Sequence, residues 1–146
     1  MTQDAEDQDL AGQVARHQPE FARYLGIALI EATPRRVVME LPVTEALSNR
    51  NGVMHGGAIL GLTDNAGGTA SSINLNPGQN TVTLESKVNF LRPIRIGDVA
   101  RATVTPIHIG NTTQIWQIAV TRLDGKLAAQ VTQTQMTIEW KEPAGG

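Results

Sequence analysis

The sequence predicts one α+β domain in which a curved antiparallel sheet packs on a single long helix. Residues 57–74 repeat apolar side chains at steps of three and four, with Asp64 as their one charged residue. From Thr81 to Trp140 the chain reads as four strands separated by short turns. A strand pair before the helix completes the set. A long apolar helix beside strands that read as one antiparallel sheet buries its apolar stripe on that sheet.

The elements follow in order. Residues 1–9 are polar and acidic (Asp4, Glu6, Asp7, Asp9) and read as a flexible tail. Leu10, Val14, His17 and Phe21 have helical spacing and predict a short amphipathic helix over 8–23. Leu25 to Ala32 and Arg35 to Leu41 read as a hairpin across Ala32-Thr33-Pro34, ended by Pro42. A loop rich in Asn, Ser and Gly runs from Thr44 to Met54 and delivers the chain to the helix of 57–74. Asn76-Pro77-Gly78 stops that helix.

Alternation from Thr81 puts Val82, Leu84, Ser86, Val88 and Phe90 on one face of a strand. Thr81, Thr83, Glu85, Lys87 and Asn89 take the other face. Arg92-Pro93 and Ile96-Gly97-Asp98 form the next turn. Val99 to Ile109 and Thr112 to Leu123 are strands, with Gly110-Asn111 between them. Asp124-Gly125 is the strongest hairpin signal in the chain, and Lys126 to Trp140 follows as the last strand. One domain over 10–140 results, with a flexible tail over 141–146. No internal repeat or dividing linker interrupts it. Uncovered sheet edges favour a homo-oligomer.

Composition removes several functions. A net charge of −2 gives no electrostatic reason to expect nucleic acid or an acidic membrane as partner. The absence of cysteine excludes disulfides, thiol catalysis and cysteine-bound zinc. His17, His55 and His108 lack metal-ligand spacing, so no metal site is expected. No apolar run approaches a membrane span, and the acidic start is unlike a secretory signal. A cytoplasmic protein is the expectation.

The helix itself carries the functional signal. Ile59, Leu62, Ala66, Ala70 and Ile73 share its apolar face, and Gly57, Gly61, Asp64, Gly68 and Ser71 share the other. Each glycine costs a helix about 1 kcal/mol relative to alanine, so a close approach of some other group is the expected reason for them. Asp64 lies where that approach happens.

Two segments fix the family. Asn49-x-x-Gly52-x-x-His55-Gly56-Gly57-Ala58 precedes Asp64-Asn65 on the helix, and Thr83 precedes Asn89-Phe90-Leu91-Arg92-Pro93 and then Gly97-Asp98. With this order of elements the chain resembles the hotdog-fold thioesterases, in the branch of the phenylacetate-pathway and 4-hydroxybenzoyl-CoA thioesterases. The resemblance implies a sheet wrapped around a central helix and hydrolysis of an acyl-CoA to acid and free coenzyme A. It implies no metal or cofactor, coenzyme A being part of the substrate. It also implies a site between two subunits of a homodimer, and dimers that pair into a homotetramer.

The same resemblance assigns roles by position. Asp64 becomes nucleophile or general base, against its plain reading as an exposed helix carboxylate. Gly56, with Gly57 as a second candidate, offers the N–H groups of a helix start, which lack intrahelical partners and carry the positive end of the dipole. His55 either fixes the loop or meets the thioester. Asn49 orients substrate or water, or is an ordinary loop asparagine. Thr83 reaches a carboxylate across the subunit boundary, or serves strand propensity. Asn65 joins the substrate-binding set. Lys87 and Arg92, with Arg95, meet the coenzyme A phosphates or are scattered surface charge. Trp116 and Trp140 read as packing residues. A hotdog dehydratase or hydratase lacks its recognisable motifs here. A non-catalytic acyl-CoA sensor is the alternative of a different class, and a carboxylate beside the thioester argues against it.

Overall fold

A computed structural model describes residues 2–142 and 144 of the chain. Two short helices come first, α1 (Gln3–Arg16) and α2 (Glu20–Leu25). The strands β1 (Ala28–Thr33) and β2 (Arg36–Pro42) follow, then one 3-10 turn at Glu45–Leu47 and the long helix α3 (Gly56–Ile73). Strands β3 (Gln79–Phe90), β4 (Val99–Ile109), β5 (Thr113–Thr121) and β6 (Leu127–Glu139) complete the chain. All six strands form one antiparallel sheet in the order β1-β2-β4-β5-β6-β3. Helix α3 packs against every strand, so the sheet wraps it as expected of a hotdog fold.

The core forms on the predicted helix face. Ile59, Leu62, Ala66 and Ala70 are buried against Met39, Leu41, Trp116, Ile118 and Val131. Trp116 is fully buried and its indole N–H donates to Ser71 Oγ at 2.7 Å, which takes Ser71 off the open face of the helix. Trp140, by contrast, is half exposed and packs no core.

Four expectations are corrected. The helix expected over 8–23 is two helices, because Pro19 has no N–H for the fourth-preceding carbonyl and pushes Gln18 out of the helical region. The acidic stretch 1–9 is helical from Gln3, with Asp4 and Glu6 at the positive end of α1. The first strand begins at Ala28 and not at Leu25, since Leu25 closes α2 and Gly26 caps it at φ 90°. The segment after β3 is a crossover and not a hairpin turn. It carries the chain from the sheet edge to a place between β2 and β5, held by Met54 N–H to Ile94 O and Gly97 N–H to Val43 O. The loose tail expected over 141–146 lies partly outside the described residues, as does Met1 of the first tail; Lys141 and Glu142 are exposed and irregular.

Strand β3 also departs from simple alternation. Thr83 pairs with Gln135 and Glu85 pairs with the adjacent Thr134, so Leu84 is an extra residue, a β-bulge. The bulge reverses parity within the strand. Thr81 and Thr83 face the helix before it; Ser86 and Val88 face the helix after it. Val82 and Leu84 are left exposed on the outer side of an edge strand.

Candidate active site

The site begins at the start of α3. His55 has extended backbone angles (φ −64°, ψ 137°) and caps the helix, its Nδ1 accepting the Gly57 N–H at 2.8 Å. Gly57 is therefore already bonded within the loop. The Gly56 N–H has no acceptor among the described residues and is the open donor of the helix start. A Cβ on Gly56 would come 3.1 Å from Cζ of Phe90, so the aromatic ring lies beside this N–H. Asn49 shapes the approach to the cap, its Oδ1 accepting the N–H groups of Asn51 and Val53 at 2.9 and 3.4 Å.

Two turns on, Asp64 is exposed to solvent on the side of α3 next to β3 and β6. Its Oδ1 accepts two hydrogen bonds, from Thr83 Oγ1 at 2.8 Å and from Gln133 Nε2 at 2.9 Å. No bond to Oδ2 occurs among the described residues. The Thr83 partner belongs to the same chain, which corrects the expected contact across a subunit boundary; the bulge after Thr83 lets its hydroxyl face the helix.

Gln133 and Gln135, missed in the sequence reading, complete the surroundings of Asp64. Gln133 also donates to Ser86 Oγ at 2.8 Å, and Gln135 donates to Gln133 Oε1 and Thr83 Oγ1 at 2.9 and 2.7 Å. Both are buried. Their signal was parity: Ala129 and Val131 point into the core, and 133 and 135 continue that face. Polar residues on a core face are informative because buried amides demand partners.

The glycines of α3 have separate causes. A Cβ on Gly61 would meet Leu25 at 3.0 Å, so α2 packs there. Gly67 admits the amide of Gln133. At Gly68 a Cβ would meet nothing within 4 Å; this glycine borders open space. That space is a cavity of about 740 Å³ between α1 and α3, lined among others by Leu10, Val14, Asp64, Gly68, Thr83 and Gln135. Asn65 lines it too, but its amide donates to Gln18 Oε1 at 2.8 Å and so ties the α1–α2 segment to the helix. A second cavity of about 360 Å³ holds Asn49, Gly56, Phe90 and Arg92. His55 and Lys87 border neither; Lys87 Nζ donates to Asn89 Oδ1 at 3.1 Å.

The acid and the open N–H are thus in different cavities of one chain. Eight residues of helix separate them by about 12 Å along the axis. No single carbonyl touches both. Among the described residues, no group of three or more His, Cys, Asp and Glu side chains is placed to hold a metal, and no helix is long and apolar enough to cross a membrane.

The profile of the thioesterase superfamily matches residues 51–129, which span both halves of this geometry. The chain belongs to the thioesterase superfamily. Among its hotdog-fold relatives, a 1,4-dihydroxy-2-naphthoyl-CoA hydrolase of Listeria monocytogenes is 32% identical over 103 residues, covering 70% of this chain and 83% of that protein. The crystal structure of a thioesterase from Haemophilus influenzae superposes with a TM-score of 0.80 at 28% identity, over 95% of this chain and 94% of that one. The PaaI protein of the E. coli phenylacetic acid degradation operon gives a TM-score of 0.81 at 25% identity, over 91% and 94%. The thioesterase superfamily member described here accordingly carries a hydrolase fold, with the Gly56 N–H at the start of α3 and the Asp64 side chain two turns along it.

Proposed function

We propose that this thioesterase hydrolyses an acyl-CoA with an aromatic or medium-chain acyl group, giving the free acid and coenzyme A. The observation that carries the reading is the half-occupied carboxylate of Asp64. Two donors hold Oδ1, and Oδ2 is left for the reaction beside a cavity large enough for an acyl group. Either Oδ2 attacks the thioester carbon or it takes the proton of an attacking water. In both routes the carbonyl oxygen gains negative charge, and the open Gly56 N–H at the positive helix end stabilises it. His55 acts by holding the Gly57 N–H, so that Gly56 alone points outward. Asn49 shapes the loop, and Arg92, which lines the cavity of Gly56 and donates to Leu127 O at 2.8 Å, is the cation we assign to the coenzyme A phosphates. Side chains and backbone do the chemistry; coenzyme A enters only as part of the substrate.

In this reading the working unit is a homodimer, further paired into a tetramer as the family resemblance implies. The support is strand β3, an edge strand of 12 residues with exposed Val82 and Leu84 on it. One end, Asn80 to Thr83, borders the Asp64 cavity, and the other, Phe90, borders Gly56. Antiparallel pairing of two copies of β3 about a two-fold axis lays each end on the other's opposite end. Asp64 of one copy then faces Gly56 of the next. A cytoplasmic location follows from the substrate.

The test is free-thiol release from a panel of acyl-CoAs by wild type and Asp64→Ala. The variant is expected to fold and to lose at least about 100-fold in turnover. Undiminished turnover contradicts the role of Asp64, and wild type that binds acyl-CoA without releasing thiol is a ligand sensor.

A further inference from the structure

The polar side chains behind Asp64 run in one direction. Thr81 Oγ1 donates to Gln135 Oε1 at 2.9 Å; Gln135 then donates to both Thr83 Oγ1 and Gln133 Oε1. Thr83 and Gln133 each donate onward to Asp64 Oδ1. Both N–H groups of each glutamine are used, and each amide oxygen accepts, so neither amide can flip without losing bonds. Two branches therefore converge on one carboxylate oxygen. The network terminates on Oδ1, which offers lone pairs to both donors.

Gly67 makes the arrangement sterically possible. A Cβ there would overlap the Gln133 amide, 2.9 Å from its Cδ, with Ile118 Cδ1 at 3.2 Å closing the other side. Gln133 is wholly buried, so it cannot retreat without giving up its bond to Asp64. Gly67 is itself buried and lies one turn from Asp64.

We propose that Gln133 is a positioning residue for Asp64, admitted by Gly67 and fixed by Gln135, which holds Oδ1 as an acceptor and leaves Oδ2 as the reacting oxygen. The inference rests on Asp64 being the reacting acid. Removing a donor to a charged group is worth about a 10- to 100-fold change, so Gln133→Met and Gly67→Ala are expected to lower kcat by that factor. KM stays within about twofold if the bound ground state is unaffected.

The glycine and the glutamine act as one unit, so in a Gln133→Ser background, where a methyl group has room, Gly67→Ala costs no further activity. Thr83 is exposed and its substitution leaves the core intact, which covers the case in which a buried variant fails to fold. Thr83→Val is expected to reproduce the loss in kcat with KM within about twofold, and Thr83→Ser to restore kcat. Additive losses at 67 and 133, or an unchanged kcat in Gln133→Met and Thr83→Val, overturn the proposal. Asp64→Asn in the same assays separates the two levels. An active Asp64→Asn removes the reading of the acid itself; an inactive one beside unaffected Gln133 and Thr83 variants removes only the relay.

Discussion

His55 Nδ1 accepts the backbone N–H of Gly57 at 2.8 Å, so the side chain that opens the His-Gly-Gly turn also closes the second donor of the helix. This single bond separates the roles of two adjacent glycines. Gly57 is occupied and Gly56 is open. Loss of a helix cap costs about 0.5–2 kcal/mol. His55→Ala is expected to lose that much in chemical denaturation, and His55→Asn, which keeps a capping acceptor, to retain most of it.

Gly56 is the first helical residue, where proline is tolerated because its N–H is unpaired. The angles of His55 are already those a residue before proline prefers. Gly56→Pro therefore deletes the donor and keeps the helix, with the exposed Phe90 ring moving aside. Turnover is expected to fall by about 100- to 1000-fold, the cost of one oxyanion donor. Circular dichroism and the melting temperature stay near wild type.

Gly68 borders the larger cavity with no neighbour to resist a side chain. Gly68→Leu fills space one turn from Asp64 without straining the core. The expected result is a shift of kcat/KM toward short acyl groups by about 10- to 100-fold, the worth of one to three kcal/mol of pocket shape. A panel of straight-chain and aromatic acyl-CoAs reads this directly.

Helix α1 has no buried residue, yet it roofs the same cavity. The Gln18 side chain holds its end, accepting from Asn65 and donating to Val14 O at 3.2 Å and Thr69 Oγ1 at 3.4 Å. Gln18→Ala is expected to raise amide exchange across 3–16 and to raise KM more than it lowers kcat. Exchange confined to wild-type rates shows that the latch lies elsewhere.

The parts legible in the sequence were those whose cause is local. The spacing of Ile59, Leu62, Ala66 and Ala70 fixed the buried face of α3, and Asp124-Gly125 marked its hairpin. Pro19 was equally legible as a helix break, but amphipathic spacing was followed across it. The bulge at Leu84 has no glycine or proline to announce it; it is set by pairing with β6, some fifty residues away in sequence. Parity past that point, and with it the bond from Thr83 to its own Asp64, depends on that long-range register. Gln133 and Gln135 were hidden for a related reason. Their importance lies in facing Asp64 and Gly67 across the core, and strand alternation alone gives no partner. Gly67 has no local signal in the sequence, because its nearest neighbour is a side chain of the distant strand β6.

Mixing two inactive variants tests most directly whether Asp64 of one copy works with Gly56 of another. Asp64→Ala and Gly56→Pro are unfolded together and refolded in equal amounts. Random pairing makes half of the dimers mixed, and each mixed dimer has one intact site and one doubly altered site, so about one quarter of wild-type turnover is expected. Recovery to that level supports the shared site. No recovery, with mixed dimers shown to form, places both groups in one chain and contradicts the account.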